Sequence, residues 1–225
     1  MQLNCKALLW DLDGTLMDTA PDLIAACNHT LTSFGLKALN PGLIRTRVTS
    51  GMRAMLSLGV PESERSGYDI EGQMRMTFAE YYTAHINTFT KPFEGIVELC
   101  DAAKASGLPM AVITSKYEAM ALKLFENYPF TADFKVLLGC DSLPWSKPDP
   151  RPLWEALKRL EVSPEDALYV GDHLNDIRAA RNAGVRSAAA LWGYGQSECG
   201  PAENWGADLL VESPGALCRL LGLDA

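Results

Sequence analysis

The sequence predicts a doubly wound α/β fold, an open parallel sheet covered by helices on both faces, with a helical insert after the first strand. Three observations carry the prediction. Short apolar runs alternate with amphipathic stretches over most of the chain, as they must when strands are buried between two helix layers. The alternation lapses from Asp18 to about Lys91, where only helical pieces are found. Ionisable residues close several of the apolar runs, at the carboxyl ends where ligands of open parallel sheets bind.

In chain order, the first strand is Ala7 to Asp11. In the insert, Pro21 suits a first helical turn with Gly35 as its stop, and Asn40 before Pro41 repeats the start signal. Ser50 is placed to cap a helix from Gly51 to Leu58, and Tyr68 to His85 reads as a further helix. The core resumes with a helix from Gly95 to Ser106, ended by Gly107 in the left-handed position that glycine accepts. Strands follow at Met110 to Thr114 and Phe134 to Leu138, then a helix from Pro152 to Leu160 and the strand Ala167 to Asp172. A helix from Asn175 to Ala183 stops at Gly184, and strands at Arg186 to Leu191 and Asp208 to Val211 complete the sheet. The expected division is therefore residues 1–17 with 92–225 as the core and 18–91 as an inserted helical domain.

A chain of 225 residues can hold one large domain or a core with a smaller insert. Apolar residues make up 48% and charged residues 21%, which excludes a disordered chain. With 20 Lys and Arg against 28 Asp and Glu, the net charge of -8 argues against nucleic acid as a partner. The cysteines, Cys5, Cys27, Cys100, Cys140, Cys199 and Cys218, form no CxxC pair and no zinc-finger spacing, so they read as reduced thiols of a cytoplasmic protein. The run Ala7 to Trp10 is too short for a secretory signal, and nothing approaches the roughly 18 apolar residues of a membrane span. A protein without a membrane segment, monomeric or homodimeric, is expected.

Asp11-Leu12-Asp13-Gly14-Thr15 puts two carboxylates two residues apart at a strand end. Residues i and i+2 of an extended segment point the same way, so both acids can face one substrate. Such a pair suits hydrolysis of phosphate monoesters, which needs up to ~10²¹-fold acceleration. Asp11 can act as a nucleophile that divides the reaction into two displacements, while Asp13 protonates the leaving oxygen and then activates water. Two carboxylates facing a phosphate dianion require a cation, and Mg²⁺ fits, being held by one or two carboxylates with phosphate oxygens and waters. Gly171-Asp172-His173-Leu174-Asn175-Asp176 supplies more acids, Asp172 as a direct ligand and Asp176 as second ligand or outer partner. Lys147, in Ser146-Lys147-Pro148-Asp149-Pro150, offers positive charge to phosphoryl oxygens, and Thr114 and the backbone N–H of Ser115 offer hydrogen bonds.

DLDGTLMD, VITS, SKPDP and VGDHLND, in that order, resemble the four motifs of the haloacid dehalogenase superfamily, and Pro92-Phe93-Glu94-Gly95 resembles its return from a helical cap. The resemblance spans nearly the whole chain. DTAPDLIAACN and KPDPRPLWEAL are most similar to phosphoglycolate phosphatase-like members, while GYG followed by ENWGAD is similar to relatives acting on N-acetylmuramic acid 6-phosphate. The resemblance implies a Rossmann-like core with a cap, and a magnesium-dependent phosphatase for a small phosphorylated metabolite. It implies Asp11 as nucleophile, Asp13 as acid and base, Thr114 and Lys147 as phosphoryl binders, and metal ligation by Asp11, the Asp13 carbonyl and Asp172.

Departures from the family pattern narrow the choice. Many phosphoglycolate phosphatase-like sequences read Thr-Asn-Lys where this one has Thr114-Ser115-Lys116. The acid at Asp13 argues against the dehalogenases and cation-pumping ATPases of the superfamily. A sugar-phosphate mutase is the nearest alternative, but the segment Asp18 to Leu23 lacks the histidine that such enzymes resemble one another in carrying. A receiver-like signalling module, phosphorylated on aspartate by a partner, also presents acids, a Thr and a Lys around a sheet. It has no use for Asp13 or for so long an insert.

Within the insert, the segment from Lys37 to Arg53 carries Lys37, Arg45, Arg47 and Arg53 and no acid. The resemblance places a specificity loop of the cap at about Val48 to Arg53. Arg47 or Arg53 is thus expected to meet the non-phosphate end of an acidic substrate, with Gly51 allowing close backbone approach. His173 reads as a solvated loop histidine, and Gly193-Tyr194-Gly195 as a structural turn.

Overall fold

The computed structural model describes residues 3–223, and the chain divides into two compact units, Met1–Asp18 with Pro92–Ala225, and Thr19–Lys91. The first unit holds a six-stranded parallel sheet of β1 (Ala7–Trp10), β4 (Met110–Ile113), β5 (Phe134–Leu138), β6 (Ala167–Gly171), β7 (Arg186–Ala190) and β8 (Leu209–Val211). Their order across the sheet is β5-β4-β1-β6-β7-β8. β2 (Met17–Asp18) and β3 (Lys91–Pro92) pair as a separate two-stranded sheet. Every residue of β1, β4 and β6 is buried, which is why these runs are continuously apolar instead of alternating.

Registration of β1 against both neighbours decides what the sheet can do. Trp10 lies opposite Val112 of β4 and Val170 of β6, so the three strands run out together. The ladders stop one residue earlier than the sequence suggests, at Trp10, Ile113 and Gly171, leaving Asp11, Thr114 and Asp172 as the first residues beyond them. Asp11 still donates its backbone N–H to Val170 O at 2.9 Å, and Thr114 to Leu138 O at 2.9 Å, so these side chains sit on anchored backbone. At the far edge Asp208 lies outside β8, where its carboxylate accepts from the N–H and hydroxyl of Ser187.

Helices α5 (Ile96–Ala105), α6 (Glu118–Phe125), α7 (Arg151–Leu160), α8 (Leu174–Ala183), α9 (Gln196–Cys199) and α10 (Pro214–Leu221) complete this unit. Gly95 is not the first helical residue but a left-handed entry to α5, with φ of 84°. α6 and α10 lie where the sequence reading placed no helix, although Ser213 before Pro214 is a start signal and its hydroxyl does accept from Ala216 N. Small residues of α8, Ala179, Ala180 and Ala183, let that helix settle on the sheet beside Leu153 and Leu157 of α7.

The second unit is helical: α1 (Ala20–Ser33), α2 (Pro41–Arg45), α3 (Gly51–Gly59) and α4 (Arg75–Ala84), around buried Leu31, Met55, Leu56, Phe78 and Tyr82. Asn40 caps α2 by accepting from Gly42 N. Ser50 does not cap α3; its backbone is already in the helical region, and its side chain makes no capping bond. The helix expected from Tyr68 to His85 starts two residues later, because Asp69 accepts from Gly72 N and Gln73 N and caps a π-helical first turn, Ile70–Met74, that runs directly into α4. Asp22, 2% exposed in the first turn of α1, accepts from the backbone of Phe89 and Thr90 and from the Thr90 hydroxyl, fastening the start of the unit to its end. Among the described residues, no helix is long and apolar enough to cross a membrane.

Candidate active site

Lys147 organises the site. Its Nζ donates to Asp11 Oδ1 at 2.7 Å, to Asp176 Oδ1 at 2.7 Å and to the Tyr169 hydroxyl at 2.9 Å, with its side chain only 3% exposed. Burial alone would lower the pKa of this ammonium, but the charges of Asp11 and Asp176 outweigh it and hold the group well above its ordinary value. Tyr169 reaches the cluster from the buried middle of β6. Its one hydroxyl hydrogen is available to Ile113 O at 2.9 Å or Asp176 Oδ1 at 3.2 Å. Asp176 stands at the third position of α8, where its other oxygen accepts from His173 N at 3.0 Å. It is therefore both a helix-capping acid and a member of the cluster.

Asp172, fully buried, is gripped from two directions. Its Oδ2 accepts from Tyr194 N at 2.7 Å and Gly195 N at 3.2 Å, and its Oδ1 accepts from the Thr15 hydroxyl at 3.3 Å. The approach is so close that a Cβ on Gly14 or on Gly193 would overlap the Asp172 carboxylate. Glycine is thus required at both positions for space, and at Gly14 also for its φ of 90°. The Gly193-Tyr194-Gly195 turn is a turn, as its sequence suggests, but one whose amides hold a site carboxylate. The Tyr194 side chain continues the clamp by donating to Asp18 Oδ1 at 2.7 Å.

Asp11, Asp172 and Asp176 each offer an oxygen within 4.8 Å of the others, and all three are buried. Burial raises the Asp11 carboxyl well above the ordinary range, opposed by Lys147 and reinforced by Asp176 and Asp172. Burial, and then the charge of Asp176, lifts Asp172 from 3.8 to about 7. With all three carboxylates ionised, one ammonium leaves a surplus of two negative charges in a desolvated cluster. Hard oxygen donors carrying that surplus fit a divalent cation such as Mg²⁺, whose charge would oppose both upward shifts by favouring the ionised carboxylates.

The Asp13 carboxylate is outside this group. It pairs instead with Lys116 Nζ at 2.8 Å, a contact the sequence reading did not foresee. Thr114, 3% exposed at the end of β4, accepts from Lys116 N at 3.1 Å through its hydroxyl, while Ser115 is exposed. His173 is not a solvated loop residue: burial holds its imidazole below the ordinary pKa, Nδ1 accepts from Asn175 N, and Nε2 lies 2.9 Å from Cys199 Sγ.

Arg47, Gly51 and Arg53 belong to the other unit. Arg47 is exposed, and Arg53 is exposed and paired with Glu71 at 2.7 Å. Gly51 has φ of 84° with nothing within 4 Å of a would-be Cβ, so its glycine answers a backbone requirement and not a crowded approach.

The family of haloacid dehalogenase-like hydrolases matches residues 8–190. A phosphoglycolate phosphatase of Xylella fastidiosa is 38% identical over 214 residues, covering 95% of this chain and 92% of that protein. An N-acetylmuramic acid 6-phosphate phosphatase of Pseudomonas aeruginosa is 36% identical over 226 residues, covering 98% and 96%. Among solved structures, a predicted phosphoglycolate phosphatase from Haemophilus somnus superposes with a TM-score of 0.87 at 25% identity, over 97% of this chain and 98% of that one. CbbY from Rhodobacter sphaeroides, in complex with phosphate, gives 0.76 at 26% identity, over 97% and 100%. With its motif residues gathered at one sheet edge and relatives matching along its whole length, the chain belongs to the haloacid dehalogenase-like hydrolases and, within them, to the phosphatases.

Proposed function

We propose that this phosphatase is Mg²⁺-dependent and hydrolyses a small phosphomonoester, phosphoglycolate or a sugar phosphate, through an aspartyl-phosphate on Asp11. The observation that carries the reading is the buried bridge of Lys147 between Asp11 and Asp176, with Asp172 alongside. Lys147 engages Oδ1 of Asp11, which orients the carboxylate and directs Oδ2 to attack phosphorus. The same ammonium and the Thr114 hydroxyl offset the charge that builds on the phosphoryl oxygens. Asp13 protonates the departing ester oxygen and then takes a proton from the water that cleaves the acyl phosphate. Asp11, Asp172 and Asp176, together with the Asp13 carbonyl, are the candidate ligands of Mg²⁺, which when bound neutralises phosphoryl charge and aligns the displacement. The inserted helical unit is the candidate cap, with Arg47, Gly51 and Arg53 as its candidate substrate contacts.

The test is phosphate release with Mg²⁺ from 2-phosphoglycolate, N-acetylmuramic acid 6-phosphate, hexose phosphates and nucleotides, by wild type and by Asp11→Asn. Multiple turnover by wild type and none by the folded variant is expected. Near-normal turnover by Asp11→Asn would remove the covalent intermediate. Isomerisation of a sugar phosphate without net phosphate release would make the protein a mutase.

A further inference from the structure

Lys116 has a position that neither metal binding nor phosphoryl binding explains. Its side chain is 5% exposed, and its Nζ lies 2.8 Å from Asp13 Oδ1, so it is not a solvated surface lysine. Its backbone is fixed on both sides: the N–H donates to Thr114 Oγ1 at 3.1 Å, and the carbonyl accepts from Cys140 N at 3.0 Å. A Cβ on Gly139 would overlap the backbone of Glu118 and crowd the Lys116 carbonyl, so the loop closes tightly around this residue. An ion pair with one partner buried and the other partly buried adds little net stability over an apolar pair of similar size, so stability alone is a weak reason for this arrangement.

The position has a chemical consequence, which rests on the proposed role of Asp13. A carboxylate that protonates the ester oxygen must come within about 3 Å of it. When Asp13 Oδ1 is the oxygen that makes this approach, the Lys116 ammonium is no more than about 6 Å from the ester oxygen. When the carbon bonded to the ester oxygen also bears a carboxylate, its oxygens lie on the order of 3 to 4 Å from the ester oxygen. A carboxylate turned toward Asp13 then comes within hydrogen-bonding reach of Lys116. In N-acetylmuramic acid 6-phosphate the carboxylate is on an ether across the sugar ring, beyond that reach.

We infer that Lys116 is the specificity determinant for the leaving group, and that it selects phosphomonoesters of α-hydroxy acids, of which 2-phosphoglycolate is the smallest. The Lys116 ammonium pairs with the substrate carboxylate while remaining beside Asp13, so recognition and leaving-group chemistry share one cation.

The experiment compares kcat/KM for 2-phosphoglycolate and for ethylene glycol phosphate, which has the same two-carbon skeleton with a hydroxymethyl group in place of the carboxylate. Wild type, Lys116→Gln and Lys116→Arg are assayed with Mg²⁺, with melting temperatures to verify folding. Wild type should prefer the acid at least tenfold, a result that needs no variant. Lys116→Gln should lower both values because Asp13 loses a partner, but lower the acid's by a further tenfold or more, mainly through KM. Lys116→Arg should keep most of the preference. A wild-type ratio near one, or equal fold losses for both esters in Lys116→Gln, would overturn the inference and leave the phosphatase reading standing. Absence of phosphate release from both esters and from an aryl phosphate would overturn that reading itself, and the inference with it.

Discussion

Lys147→Met replaces a buried ammonium with an apolar chain of similar length, so it removes charge while keeping most of the packing. The ammonium is 3% exposed, and its partners Asp11 and Asp176 have side chains 10% and 2% exposed. Removing one member of such a pair strands the others and costs about 3 to 5 kcal/mol. At about 2 to 4 °C per kcal/mol for a chain of this size, the metal-free variant should melt about 6 to 20 °C below wild type. The loss must depend on pH in a definite direction. Lys147 titrates above its ordinary 10.5 and stays charged in wild type across the neutral range, so the carboxylates set the trend. Without the ammonium they are destabilising only when ionised, so the deficit should be larger at about pH 8 than at about pH 5. With Mg²⁺ present, loss of a fixed charge from the phosphoryl side should lower kcat by roughly a hundred- to a thousandfold. Melting curves of metal-stripped proteins at the two pH values, together with kcat, decide the matter. A deficit that does not vary with pH would mean lost packing and not lost charge. An unchanged kcat would remove Lys147 from the site.

Two further outcomes follow from the same cluster. Asp172 has a folded pKa of about 7, above its ordinary 3.8, so the folded metal-free protein holds a proton that the unfolded chain has released. Metal-free stability should therefore fall as pH rises from about 4 to 7, while stabilisation by Mg²⁺ should grow over that interval because binding needs the carboxylate. Thermal melts with and without Mg²⁺ would show it, and a flat profile for both would count against the placement of Asp172 among the ligands. Gly193→Ala introduces a Cβ into the Asp172 carboxylate and the Gly14 carbonyl. Overpacking of this kind costs about 1 to 3 kcal/mol, and here it should also raise the Mg²⁺ concentration needed for half-maximal activity. An activation constant equal to that of wild type would show that the clamp does not position the ligand.

Much of the fold and of the acid cluster was legible in the sequence because the signals are local. An aspartate ending a continuously apolar run is an anomaly that only a strand end at a polar edge resolves, and Asp11 and Asp172 both stand in that position. Strand ends were overrun by a residue because periodicity cannot tell the last ladder residue from the first beyond it. The helix expected from Tyr68 starts at Ile70 instead, because Asp69, an acid at the edge of the helical stretch, serves as its cap.

The cations and clamps around those acids were less legible, for a different physical reason. Lys147 was found through its motif, but Lys116, Tyr169 and the Gly193-Tyr194-Gly195 turn act through contacts that no local pattern encodes. Tyr169 sits in a strand buried on both faces, where alternation is absent and the direction of a side chain cannot be read. The turn meets Asp172 from 22 residues away, and its two glycines look like ordinary turn residues until the carboxylate they must admit is in view. For Lys116 a signal did exist. A buried acid cluster must be balanced, and a lysine two residues beyond the Thr114 strand end is held by backbone geometry at the same sheet edge as Asp13. Counting charge at strand ends, instead of matching residues to roles one at a time, would have singled it out: Lys147 balances part of the buried carboxylate cluster, and Asp13, two residues beyond Asp11, still needs a partner of its own.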